Sequence, residues 1–265
     1  MQADKLIAQI EAYAPKSLAW EKDPIGLQLG NMQQEIHRVM TTLDVRPEVV
    51  QEAIDKDVDF IFAHHPMIFK PAKNLDLSVP QNKMYADLIK HDIVVYAAHT
   101  NLDAAKGGMN DWLADALQLH DVTPLIPNSD GQTGLGRIGT LAQPQTVAKY
   151  ASFIRDLFQV KAVRVIASDL ERPIQRIAVL GGDGGDEYPA ALAAGADAYV
   201  TADFYYHTAH DVLADDFIVI DPDHHMEAIA KDKMVSLIKT WQQINHWELT
   251  DVFASTINTD PYTYI

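Results

Sequence analysis

Four short stretches hold the residues whose types and spacing could do chemistry. His64-His65-Pro66 follows the apolar run Phe60-Ile61-Phe62, and His99 and Asp103 bracket Thr100-Asn101-Leu102 after a second apolar run. Asp221-Pro222-Asp223-His224-His225-Met226-Glu227 follows Phe217 to Ile220, and Thr201-Ala202-Asp203 leads into Tyr206-His207 with His210 three residues on. With no cysteine among 265 residues and 11 histidines, any metal must be held by imidazole and carboxylate. Successive side chains on a strand point to opposite sides, so His64 and His65 suit two neighbouring ions better than one. Asp103 can supply a carboxylate to the same ions if its strand lies beside that of His64. His224 and Glu227 stand three apart, which puts them on one face of a helical turn, and Glu227 has two oxygens with which to bridge a metal pair. His99 and His207 are the candidates for moving protons; Asp203 is an alternative to His207 as general acid or base, and either of those two could instead orient a ligand. Mixed imidazole and carboxylate ligation of two divalent ions suits Zn, Fe, Mn, Co or Ni, and the chemistry such a pair favours is hydrolysis.

Each stretch also has a plainer reading. Paired histidines near a turn can simply be hydrogen-bonded structural residues. Asp103 can cap the helix expected near Met109, and an acid-rich helix start suffices to explain 221–227. The run Gly181-Gly182-Asp183-Gly184-Gly185 allows close backbone approach to a phosphate, yet matches neither the Walker pattern nor GxGxxG.

The elements that must position these groups alternate between strand and helix. Residues 2–14 repeat apolar positions at helical spacing and stop at Ala14-Pro15. Val39 to Leu43 reads as a strand, Pro47 opens a helix, 57–63 is a buried strand, 83–90 a helix and 92–98 another strand. This succession predicts a parallel α/β core with the histidines at the carboxyl edge of the sheet. Residues 177–207 repeat the plan of residues 39–64: strand, loop opening on an aspartate, proline-bearing helix, strand, histidine. Two related α/β lobes follow, with lobe one at about 1–122, a Gly- and Pro-rich linker at 123–145, lobe two at about 146–235 and a C-terminal return at 236–265.

Composition excludes several classes. The chain has 21 Lys+Arg against 37 Asp+Glu, a formal charge of −16, so a nucleic-acid grip through phosphates is not expected. The start lacks an apolar leader and no long uncharged stretch follows, so a soluble, cytoplasmic protein with no membrane partner is expected.

Taken as a set, HHP after a buried strand, HTNLD after the next, TADxxxH and the late IDPDHHME resemble the NIF-three-like (NGG-interacting factor three) dinuclear metal centre family, whose members include GTP cyclohydrolase I type 2 homologues. The resemblance extends to the opening EAYAPKSLAWEKDPIGLQLG, to GLGRIGTL and to Asp260-Pro261-Tyr262. It implies two intertwined α/β lobes in a three-layer sheet-and-helix architecture, without the middle domain that longer relatives insert. It also implies a homohexameric ring, two divalent metal ions per chain, and a nucleotide or other phosphorylated small molecule as substrate. Carried over by motif, the ligands are His64, His65, Asp103, His224 and Glu227. The family's last motif often reads Gly-His-x-x-x-Glu. Here Asp223 stands at the glycine and Ala228 at the glutamate, so Glu227 takes that role one residue early, with His225 as the fallback. A ring-shaped metal-binding or regulatory scaffold with no catalysis is the alternative reading.

Overall fold

The computed structural model describes all 265 residues. In chain order it runs α1 (Ala3–Tyr13), β1 (Gly26–Leu29), β2 (Arg38–Thr42), α2 (Pro47–Asp55), β3 (Phe60–Ala63), α3 (Pro80–Lys90), β4 (Val94–Ala97), α4 (Thr100–Ala104) and α5 (Met109–Ala116). There follow β5 (Leu119–Pro127), β6 (Gly134–Thr146), α6 (Val147–Phe158), β7 (Arg164–Ile166), β8 (Pro173–Asp183), α7 (Tyr188–Ala193), β9 (Ala198–Ala202), α8 (Tyr206–Ala214), β10 (Val219–Asp221), α9 (Ile229–Asn245) and β11 (Asp251–Ala254). The chain divides into two units, one of 1–102 with 230–259, the other of 103–229 with 260–265.

The first unit is built on a five-stranded sheet of order β1-β4-β3-β2-β11. β11, β2, β3 and β4 run parallel, and β1 closes the β4 edge antiparallel. Every residue of β3 and β4 is buried, which is why these strands read as unbroken apolar runs rather than alternating ones. Met40, Ile61 and Val95 on one face pack with Val49, Val50 and Ala53 of α2 and Met84, Tyr85 and Leu88 of α3. From the other face Tyr96 donates its hydroxyl to Glu11 of α1 at 3.0 Å. Pro47 and Pro80 each start a helix in its first turn, where the missing N–H has no intrahelical partner to lose.

The second unit has a six-stranded sheet of order β5-β6-β8-β9-β10-β7. β8, β9 and β10 are parallel and the flanking strands antiparallel. Leu180, Tyr199 and Val219 form a core with Ala191 of α7 and Val212 of α8. The β2-α2-β3 and β8-α7-β9 segments are thus both parallel strand pairs joined by a helix, as the repeated pattern leads one to expect.

The lobe limits differ from those drawn on composition. Residues 123–145 are not a linker: 123–127 lie in β5 and 134–145 in β6, paired antiparallel within the second sheet, and 128–133 form the turn between them. Their glycines serve the strands instead. Gly134 has φ 144° and a side chain there would meet the Ile126 carbonyl at 2.2 Å, while Gly136 has φ 61° with the Val179 carbonyl at 2.9 Å. The division falls at Leu102 and Asp103, and the C-terminal return to the first unit covers 230–259.

Candidate metal centre

In the first unit three imidazoles gather at the carboxyl edge of the parallel sheet. His64 and His65 leave β3, and His99 leaves the neighbouring β4. Ring centroids are 5.1 Å apart for His64 and His65, 5.3 Å for His64 and His99, and 5.6 Å for His65 and His99. One ring nitrogen from each lies within 4.8 Å of the others.

What fixes these rings is the acceptor on each Nδ1. Buried His64 donates from Nδ1 to the Ala98 carbonyl at 2.9 Å. A carbonyl oxygen only accepts, so Nδ1 carries the proton and Nε2 presents a lone pair. His65 donates to Asp44 Oδ1 at 2.7 Å, and His99 to Asp23 Oδ1 at 3.0 Å. Burial opposes ionisation of Asp23, but the hydrogen bonds from His99 and Thr100 overcome it and hold that carboxyl below its ordinary range. An imidazole with its Nδ1–H on a carboxylate or carbonyl and its Nε2 turned to a neighbouring donor group is how proteins prepare metal ligands. The donor chemistry of the three histidines therefore fits a divalent cation.

The second unit supplies a carboxylate-rich set. His224 opens a single helical turn, His224–Ala228, directly after β10. That spacing brings His224 Nε2 to 3.2 Å from Glu227 Oε2, while His224 Nδ1 lies 2.6 Å from Asp203 Oδ2. Burial disfavours a charged His224, yet the two carboxylates prevail and push its pKa up to about 11. Asp203 is correspondingly held below its usual range, first of all by its hydrogen bond to His224. A positive charge is thus stabilised between Asp203 and Glu227, as expected of a place that attracts cations.

Asn110 ties two of the supplying segments together. Its amide donates to the Asp103 carbonyl at 3.0 Å, and its side-chain oxygen accepts the Gly181 N–H at 2.9 Å. A side chain at Gly181 would meet Glu227 Oε1 at 2.7 Å, and one at Gly182 would approach His224 Nε2 at 3.5 Å. Gly181 and Gly182, at the end of β8, therefore make room for Glu227, a different use from close approach to a phosphate. Buried Arg137 fixes the same region, with bonds to Asp111 at 2.7 and 2.8 Å and to the carbonyls of Ala105, Gly134 and Gly136 at 3.0, 2.8 and 2.7 Å.

Asp103 is buried inside α4 and is not the cap of α5, a position held by Gly108. His99 is placed in one triangle with His64 and His65. His207 lies on exposed α8 with its ring 5.4 Å from those of Tyr205 and Tyr206. Glu227 Oε2 lies 3.2 Å from His224 Nε2. Nothing in the sequence around Asp23 marks it as an orienting group. Asp44 carried one signal, its position at the first turn after a strand.

Two α/β sheet units bearing oriented imidazoles and buried carboxylates define the class: an α/β protein with candidate metal-holding groups of His, Asp and Glu. The family model for Duf34/NIF3 (NGG1p interacting factor 3) matches residues 1–261, and the chain belongs to that family. It is 42% identical over 268 residues to the GTP cyclohydrolase 1 type 2 homolog of Streptococcus pneumoniae, covering 100% of both. Among solved structures, a Bacillus cereus protein related to NIF3 superposes with a TM-score of 0.95 at 28% identity, over 100% of this chain and 99% of that one. A Staphylococcus aureus hypothetical protein gives the same TM-score, 0.95, at 30% identity, over 100% and 99% of the two chains. No helix is long and apolar enough to cross a membrane.

Proposed function

We propose that the chain is a metal-dependent hydrolase holding two divalent ions, with His64, His65, Asp103, His224 and Glu227 as ligands and a nucleotide or other phosphorylated small molecule as substrate. The observation that carries this reading is the pair of adjacent imidazoles His64 and His65, whose Nδ1 atoms are held by the Ala98 carbonyl and by Asp44. Structural histidines need no such concerted orientation, whereas ligands do. When bound, a pair of divalent ions supplies Lewis acidity toward a substrate oxygen and toward water.

The chain's own groups do the rest. Asp44 and the Ala98 carbonyl keep the Nε2 lone pairs of His65 and His64 aimed one way. Asp203 holds the His224 ring by its Nδ1. His99, paired to Asp23, is poised to accept a proton at Nε2 while its Nδ1–H stays on the carboxylate. His207, on exposed α8, is the second candidate proton carrier.

The relatives' name supports a nucleotide of the GTP type as one substrate to try, and family resemblance supports a homohexameric ring. The test is turnover of GTP and a nucleotide panel by protein loaded in turn with Mn, Zn, Fe, Co or Ni, beside a variant carrying both His64→Ala and Glu227→Ala. Wild-type turnover no higher than the variant's removes the reading. The family description, which names an interacting factor, favours a second one: a metal-binding or regulatory ring that binds a protein partner without turnover. Tight metal retention with no hydrolysis across the panel would select it.

A further inference from the structure

The second unit contains a cleft of about 300 Å³ whose lining includes Arg164, Asp203, Asp221, Asp223, Tyr262 and Tyr264. That volume is at the small end of pockets that take small molecules. We propose that this cleft is a subsite for a planar, nitrogen-rich ring of a small-molecule ligand, an amino-heterocycle whose N–H edge is read by Asp223. The proposal rests on the small-molecule reading above and extends it to the ligand's ring.

The lining groups differ in how fully they are used. Asp221 is buried and receives Arg164, the Phe204 N–H at 3.1 Å and the Asp223 N–H at 2.9 Å, so it holds the wall together. Asp203 is engaged by His224. Asp223 receives the Tyr264 hydroxyl at 2.8 Å and a long contact of 3.4 Å from the His225 N–H. A carboxylate has about four acceptor positions, which leaves Asp223 capacity for a donor from a ligand. Arg164 is two-thirds exposed, and its bond to Asp221 uses one nitrogen of a guanidinium with five donors. Acceptor and donor therefore stand side by side.

The other walls are flat. Tyr262 and Tyr264 are 59% and 49% exposed, which leaves ring surface open to a stacking partner. Burial, and then the Asp223 carboxylate, push the Tyr264 hydroxyl up to about 12, so it stays a donor. Three carboxylates against one guanidinium make the cleft unfavourable for phosphate. What fits is an uncharged ring that offers N–H donors to Asp223 and a ring acceptor to Arg164 while stacking on tyrosine.

The backbone gives an independent reason to assign Asp223 a task. It is held at φ 74° and ψ 151°, a region that is essentially glycine's. Such a backbone is strained for any residue with a side chain, and glycine would relieve it. An aspartate there holds its carboxylate at the cleft in spite of that strain.

The experiment is equilibrium binding of phosphate-free nucleosides to the full chain, without added metal and without reading turnover. Guanosine carries an amine beside a ring N–H, inosine lacks the amine, and adenosine lacks the ring N–H. Guanosine should bind most tightly, with inosine and adenosine each weaker by about tenfold or more. Asp223→Gly should raise the melting midpoint while weakening guanosine by about tenfold. Asp223→Asn, which has the shape of the aspartate already held there, should weaken guanosine with the fold intact. Guanosine affinity equal in wild type and both variants overturns the proposal, as does failure of wild type to bind any nucleoside at millimolar concentration. Because turnover is not measured, an inactive hydrolase leaves the proposal standing. Nucleotide turnover by a protein whose Asp223 variants bind guanosine normally overturns this proposal alone.

Discussion

The carboxylate of Asp44 stands 2.7 Å from Nδ1 of His65 and also accepts the Thr259 hydroxyl at 2.5 Å. It is therefore clamped from the C-terminal side and cannot swing away without dragging the imidazole. Asp44→Asn keeps the shape but removes the charge that sets the His65 tautomer. Metal affinity, read by competition with a chelator, should fall roughly tenfold to a hundredfold while the melting curve changes little. Undiminished affinity would remove Asp44 from the set of orienting groups.

Gly181→Ala places a methyl 2.7 Å from Glu227 Oε1 and 3.0 Å from Leu113 Cδ1. The glutamate has to move. The expected result is a folded protein that loses bound metal on dialysis, measured by elemental analysis against wild type. Full metal retention would show that Glu227 is not a ligand.

Arg137 is 1% exposed and spends its guanidinium on one carboxylate and three carbonyls. Arg137→Met leaves all four acceptors without their donor, so denaturant unfolding should register a loss of about 3 kcal/mol. A loss below about 1 kcal/mol would contradict that account.

Glu52 sets a pH dependence. Burial opposes its ionisation, yet bonds from Lys56, Ser255 and Thr256 take its pKa from 4.5 down to about 2. A carboxyl whose folded value is depressed contributes stability that is fully present above 4.5 and is lost as pH falls toward 2. At neutral pH Glu52→Gln should be less stable than wild type by about 2 kcal/mol. The gap should narrow steadily between those two pH values. A constant gap over that range would mean that the charge of Glu52 is not what stabilises.

Much of the first unit was legible because β3 and β4 are buried on both faces and so appear as uninterrupted apolar runs ending in histidine. The proline-led starts of α2 and the spacing of His224 and Glu227 were legible for the same reason: the signal is local. Asp44 and Asp23 were not, since they act on histidines 21 and 76 positions away and nothing in their neighbours announces it. The glycines of 123–145 misled in another way. A glycine that breaks a chain into a linker and one that lets two strands approach look alike in composition, and only the partner strand distinguishes them.

The first unit borrows β11, residues 251–254, to pair with β2, although the sheet's other strands end at residue 97. During synthesis the β2 edge therefore stays open until nearly the whole polypeptide has left the ribosome. For that interval a row of backbone donors and acceptors is exposed to other nascent chains. A polypeptide stopped short of residue 251 should accordingly accumulate in inclusion bodies rather than persist as a smaller soluble protein.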